Sequence, residues 1–258
     1  MSSQVLVNFG LEKNTGRSTM NSVFAFLLSR MKEKTLLIDL DPSMVSTKIL
    51  SKTYKTVINT DNTIYTGLNN NDLQSSVVKL NDLLSLIPGD WRISLWNTLT
   101  SSNVDSSKSL SSCIDKFKYK FKYIIVDMPH VESLVLNNGL DISTNIFLTL
   151  ENQKSSYISF TDDIKYLTNN KKNHQTTYDV SGVILYFNRG NPSSKDNQVF
   201  LNDAREKFGD AILSNPLWYQ ERVKNFTASG ISSNGVWDNR VLTMYQNILN
   251  EELTRIED

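Results

Sequence analysis

Apolar residues gather in short runs: Gln4 to Phe9 (QVLVNF), Thr35 to Leu40 (TLLIDL), Leu83 to Pro88 (LLSLIP), Tyr123 to Asp127 (YIIVD), Asn145 to Leu150 (NIFLTL) and Val180 to Phe187 (VSGVILYF). Within most of them consecutive rather than alternate positions are apolar, which predicts strands buried on both faces. Helical periodicity fills several gaps. Ser18 to Met31 places Val23, Phe24, Phe26, Leu27 and Leu28 on one stripe, and Ser155 to Leu167, Asn197 to Phe208 and Asn239 to Ile256 read as further helices. Ala211 to Leu213 reads as a short strand. Ser51 to Asn81 is polar and predicts only a helix around Asp72 to Val78, with a turn at Asn81 and Asp82. Trp91 to Cys113 is helical in part, broken by the polar stretch from Thr100 to Ser109. Strands alternating with helices predict parallel β/α units with right-handed crossovers. The expected fold class is therefore α/β, a mostly parallel twisted sheet with helices on both faces. Without a repeat or a strong linker, residues 1–258 are expected to form one domain.

Composition narrows the class without naming a chemistry. The 27 basic and 27 acidic residues cancel, so no global charge announces a nucleic-acid partner, although a local basic face stays open. Cys113 is the single cysteine, which rules out a disulfide framework or a cysteine-held metal cluster within one chain. The start lacks the basic-then-apolar pattern of a signal peptide, and no apolar run approaches the ~20 residues a membrane-spanning helix needs. A cytoplasmic protein without a membrane partner is expected.

Three polar motifs interrupt this pattern at strand ends. Gly10 to Thr19 (GLEKNTGRST) sits after the first strand and before the first helix. A loop there aims backbone N–H groups and a helix N-terminus at an anion, although an ordinary β–α turn has the same look. Asp39 and Asp41 (LLIDLDPS) lie two positions apart at the end of the second strand, on one face. Such a pair can hold a metal-bound water and orient an attacking one, or be two solvated acids at a turn. Asp127 ends YIIVD and is followed by Met128-Pro129-His130. An acid in that position binds Mg²⁺ in phosphate-transfer sites, or caps a helix.

In order and spacing, EKNTGRST, DLDPS and DMPH resemble the KGGxGKTT, DxDPQ and DxPP motifs of the deviant Walker A ATPases, and among them the ParA family of plasmid and chromosome partition proteins. The resemblance covers nearly the whole chain and is weakest from Ser51 to Asn81. It implies a single-domain P-loop NTPase fold with ATP and Mg²⁺ as cofactors. It also implies an ATP-closed homodimer, sequence-independent DNA binding at the nucleoid, and a ParB-like centromere-binding partner that stimulates hydrolysis. Carried over position by position, Ser18 touches Mg²⁺, Asp39 supports it and Asp127 is the Walker B acid. Asp41 orients the attacking water, with Arg17 and Lys13 supplying catalytic charge. Asn14, Thr15, Gly16, Arg17, Ser18 and Thr19 wrap the phosphates, Asn188 faces the base, and Arg222 and Lys224 contact DNA.

The loop departs from the family pattern. Arg17 stands where the P-loop lysine belongs, a longer and planar cation. Glu12 replaces the signature lysine, leaving neighbouring Lys13 as its substitute if the loop shifts by one, and Lys13 and Asn14 replace two glycines. Binding is therefore expected to survive better than hydrolysis, which keeps a second reading open: a hydrolysis-deficient nucleotide-binding dimer acting as scaffold or switch. A MinD-like membrane cycle is disfavoured by the acidic end, EELTRIED, and an iron-protein reductase by the lone cysteine. His130 either faces the phosphate pocket or is a loop histidine. The alternating Lys116 to Tyr123 stretch (KFKYKFKY) is either a basic stripe or a half-exposed approach to the next strand.

Overall fold

The apolar runs assemble side by side into one sheet. In the computed structural model, which describes residues 3–13, 15–96, 108–153, 155–188 and 193–257, the strands are β1 (Gln4–Phe9), β2 (Thr35–Asp39), β3 (Val78–Lys79), β4 (Leu84–Ile87), β5 (Tyr123–Asp127), β6 (Asn145–Glu151), β7 (Asp179–Phe187) and β8 (Leu217–Trp218). Their order is β3-β4-β2-β5-β1-β6-β7-β8. Every neighbouring pair is parallel except β3 and β4. The helices are α1 (Arg17–Arg30), α2 (Val45–Tyr54), α3 (Ile64–Asn69), α4 (Ser109–Ile114), α5 (Leu134–Asp141), α6 (Ser156–His174), α7 (Lys195–Phe208), α8 (Glu221–Ser229) and α9 (Val236–Glu257).

Strand periodicity sorts the core into two layers. Val5, Val7 and Phe9 of β1, with Leu36, Ile38, Ile124 and Val126, pack against residues of α3 to α7. The alternate positions Leu6, Leu37 and Ile125 pack against α1, α2, α8 and α9. The parity has a consequence at the strand ends. Asn8, Asp39 and Asp127 share the parity of this second set, so they turn toward α1 and α2. Asp39 lies directly opposite Asp127 across the β2–β5 ladder. The chain leaves β1 toward β2 on one side and has β6 on the other, and ligands of open α/β sheets bind at the carboxyl ends beside such a reversal.

Several expected elements differ. The helix expected around Asp72 to Val78 is a short 3₁₀ turn, Leu73–Ser76, capped by Asp72, after which the chain enters β3. The strand expected at Ala211 to Leu213 is reduced to one bridge, Val183 to Ile212, and the eighth strand is Leu217–Trp218 instead. Helix α6 runs to His174, beyond the expected Leu167. Helices α2, α3 and α8 have no counterpart in the periodicity. The polar break around Thr100 lies outside the described residues. No described helix is long and apolar enough to cross a membrane.

Candidate active site

The loop after β1 reaches α1 through Gly16, whose backbone sits at φ 77, a left-handed conformation that glycine adopts without strain. Its carbonyl takes the first helical hydrogen bond, from Met20 N–H at 2.9 Å. No side chain caps this helix start, and its first turn holds no acid. The free N–H groups of the first turn, contributed by Arg17, Ser18 and Thr19, are therefore available to an anion.

A cavity of about 250 Å³ opens in front of this turn, lined by Thr15, Gly16, Arg17, Ser18, Thr19, Asp41, Ser43, Val45, Met128 and His130. Behind it lies a buried polar network. Asn8 donates to Asn21, and Asn21 donates to Asp127, each at 2.9 Å. Ser46 of α2 lies 2.6 Å from the other Asp127 oxygen and 3.0 Å from the Ser18 carbonyl. Asp39 accepts from the Thr47 amide at 2.9 Å and the Thr47 hydroxyl at 2.7 Å. Asp41 accepts the Ser43 N–H at 2.7 Å, and His130 Nδ1 lies 3.2 Å from its other oxygen. Burial, then mutual repulsion, pushes the Asp39 carboxyl above the ordinary carboxylate value. Burial also raises Asp127, with Asp41 adding to the rise while Ser46 and Asn21 oppose it. Such a set of acids is short of positive charge, the condition a cation relieves.

Arg17 supplies one positive charge. Its guanidinium donates to the Thr15 hydroxyl and, at 2.8 Å, to the Glu12 carbonyl. Burial pulls its pKa down, and Asp127, Asp163 and Asp41 counter that pull. Asp163 of α6 also accepts the Leu11 N–H at 2.9 Å, which ties the loop to the far side of the sheet. Burial raises its pKa to about 6, against the lowering effects of Leu11 and Arg17. Gly10 leaves room for this arrangement, since a Cβ there would lie 2.8 Å from the guanidinium.

Gly16 and Thr19 also face a second cavity of about 180 Å³, walled by Tyr186, Leu217, Trp218, Tyr219, Gln220, Val223, Lys224, Thr227 and Tyr245. The same turn therefore stands between an acidic chamber and an aromatic one.

The sequence model of an AAA domain family, AAA_31, matches residues 12–179, more than half of the chain. The chain belongs to this family, AAA domains of the ParA and MinD type. The AAA_31 chain is 29% identical over 154 residues to the uncharacterized protein MJECL24 of Methanocaldococcus jannaschii, a match that spans 57% of this chain and 59% of that relative. Solved structures share its P-loop NTPase fold. A Borrelia burgdorferi B31 protein assigned to plasmid partition and bound to AMPPNP is 20% identical, with 98% of this chain and 100% of that chain covered and a TM-score of 0.80. A Cyanothece McdA variant in complex with ATP is 19% identical, with 98% of each chain covered and a TM-score of 0.81. Cobyrinic acid a,c-diamide synthase from Mycobacterium smegmatis, with an ATP analogue and magnesium, is 13% identical, with 99% and 96% covered and a TM-score of 0.80.

Of the residues singled out in the AAA_31 chain by sequence, Thr15 to Thr19 and Asp41 line the acidic cavity, and Asp39 and Asp127 lie beside it in the network. Lys13 is exposed, and Asn14 is outside the described residues. Asn188 donates its side chain to Glu151 and its backbone N–H to Asn152. Arg222 hydrogen-bonds Asp238, and Lys224 pairs with Glu221 at 3.2 Å. Sequence reasoning missed Asn8, Asn21, Ser46, Thr47 and Asp163. Only Asn8 carried a signal, as a polar residue in an apolar strand on the parity of Asp39 and Asp127.

Proposed function

We propose that this protein is a partition-type ATPase that binds Mg²⁺-ATP at the Gly10 to Thr19 loop, dimerises on ATP, binds DNA without sequence preference and is stimulated by a ParB-like partner at the nucleoid. The observation that carries the reading is the convergence of Ser18, Asp41 and the buried pair Asp39 and Asp127 on one helix N-terminus, from β1, β2 and β5. The donor set fits a hard cation shared with phosphates. Among the described residues no three His, Cys, Asp or Glu side chains form a closed metal cage, and Mg²⁺ in triphosphate sites uses one or two carboxylates, a hydroxyl and phosphate oxygens. Ser18 and Asp127 would hold the metal, with Asp39 in support. Bound there, Mg²⁺ neutralises charge on the phosphates.

The chain's own groups supply the rest. The first turn of α1 and Arg17 bind phosphate oxygens, Asp41 orients a water in the acidic cavity, and the aromatic cavity next to Thr19 accepts the nucleoside. Arg222 and Lys224 are the proposed DNA contacts, exchanging their acidic partners for phosphates. DNA retention measured with ATP, with ADP and without nucleotide, beside an Asp41→Ala variant, tests the whole. ATP-gated binding to unrelated sequences supports partitioning, and binding indifferent to nucleotide refutes it.

One observation favours a second reading, a nucleotide-binding switch that does not hydrolyse. Arg17 is already committed within its own loop, to Thr15 and Glu12, and Lys13 is exposed. Tight equilibrium ATP binding with no turnover, even with DNA and a partner present, supports the switch.

A further inference from the structure

His130 follows the β5 acid by three positions and stands at the neck between two cavities. It lines the acidic chamber with Asp41 and Ser43, and the same three residues line an adjoining cleft of about 380 Å³ that continues past Pro42, Ile93 and Val135. The geometry of Asp41 makes this position consequential. One carboxylate oxygen is fixed by the Ser43 amide at 2.7 Å, and the other faces His130 Nδ1 at 3.2 Å. The Asp41 side chain is 4% exposed and that of His130 is 28% exposed, so the acid is held inside while the imidazole closes the opening. A carboxylate oxygen can only accept, so a hydrogen bond between the two requires the proton on Nδ1.

We infer that His130 is a positioning residue for nucleotide hydrolysis: its Nδ1–H locks the rotation of Asp41 and so aims the remaining lone pairs of that carboxylate at the attacking water. The inference rests on the ATPase reading above. In the reaction it serves, the water oxygen bonds to the γ-phosphorus and the bond from phosphorus to the β,γ-bridging oxygen breaks. ADP departs with that electron pair. One water proton stays on the inorganic phosphate and the other passes to solvent. His130 takes no part in these exchanges. Without it Asp41 keeps a single anchor and swings, and misdirected water slows turnover without loosening the nucleotide.

The test compares His130→Ala, His130→Asn and His130→Gln in the full chain with Mg²⁺-ATP. The asparagine amide nitrogen falls near the place of Nδ1, whereas the glutamine amide reaches toward the place of Nε2. His130→Ala is expected to lower kcat by about 10- to 100-fold, the range seen when groups that orient a reactive side chain are removed. ATP affinity and melting temperature stay unchanged, His130→Asn recovers most of the rate and His130→Gln does not. In an Asp41→Asn background the further loss from His130→Ala disappears, because the two act as a unit. Equal behaviour of the asparagine and glutamine variants, a change in KM alone, or an additive loss in that background overturns the inference. If the wild-type chain binds ATP without turnover, the inference also fails while nucleotide binding stands. If it binds no ATP at all, the ATPase reading itself fails.

Discussion

Replacing Arg17 by methionine removes the one cation buried in the loop while keeping an unbranched side chain of similar length. Arg17 is 9% exposed, its guanidinium feels Asp41, Asp127 and Asp163, and it touches the loop at Thr15 and Glu12. Two unit charges about 4 Å apart at an effective dielectric near 20 attract by about 4 kcal/mol. A triphosphate seated on the α1 N-terminus brings its charge into this range. Part of that attraction is offset by drawing Arg17 away from its present acceptors, so the net loss expected is about 3 kcal/mol, or on the order of 100-fold in Kd for ATP. AMP, which ends at its single phosphate, should lose little. Arg17→Lys keeps the charge but not the fork, and should cost about tenfold or less. Titration calorimetry with ATP and AMP, alongside thermal melting, reads both variants against the wild type. An Arg17→Met chain that melts normally and still binds ATP within about threefold of wild type refutes the assignment of Arg17 to the phosphates.

Two further outcomes follow from the buried acids. Glu252 of α9 is fully buried with both oxygens unpartnered, and burial raises its pKa well above the ordinary 4.5. A raised carboxyl binds its proton more tightly in the folded chain, so stability falls as pH climbs above 4.5, by about 1.4 kcal/mol per pH unit until the folded group titrates. Glu252→Gln should remove that slope in denaturant titrations across pH 5 to 7, and a stability difference from wild type that is flat with pH contradicts it. Asp39 and Asp127 are raised from the ordinary 3.8, so metal binding displaces protons from them. The apparent affinity for Mg²⁺-ATP should therefore rise with pH above 4, with proton release visible as a buffer-dependent calorimetric heat. Binding heat identical in buffers of different ionisation enthalpy counts against a metal at these acids.

The parts of this molecule that were legible in its sequence are those where one local rule acts alone. Short runs of consecutive apolar residues, bounded by polar turns, read as strands buried on both faces, so β1, β2, β5 and β6 are plain in the sequence. An acid closing such a run stands out, which exposed Asp39 and Asp127. Helix α2 was hidden because it buries only Ile49 and Leu50 among its apolar residues and starts from Met44 in a left-handed conformation with no side-chain cap. Helix α8 buries Phe226 alone. Packing partners from distant parts of the chain, not local pattern, hold these two in place. Ser46 and Thr47, which fasten Asp127 and Asp39, were lost with α2. Asp163 was hidden differently. In FTDDIKYL it reads as one of two solvated acids, and only the position of α6 against the loop separates buried Asp163 from exposed Asp162. Asn188 directly follows β7, and its amide donates to Glu151 on the neighbouring strand, a cross-strand contact that no local pattern encodes.

The sheet ends on both margins in a strand of two residues, Val78–Lys79 on one side and Leu217–Trp218 on the other. Long unpaired margins invite another chain to add its backbone, and short ones withhold that invitation. A second molecule meeting this one finds hardly any ladder to prolong, so association by sheet extension is disfavoured. Any contact between two copies is therefore expected to run through side chains on loops and helices rather than through the backbone of the sheet.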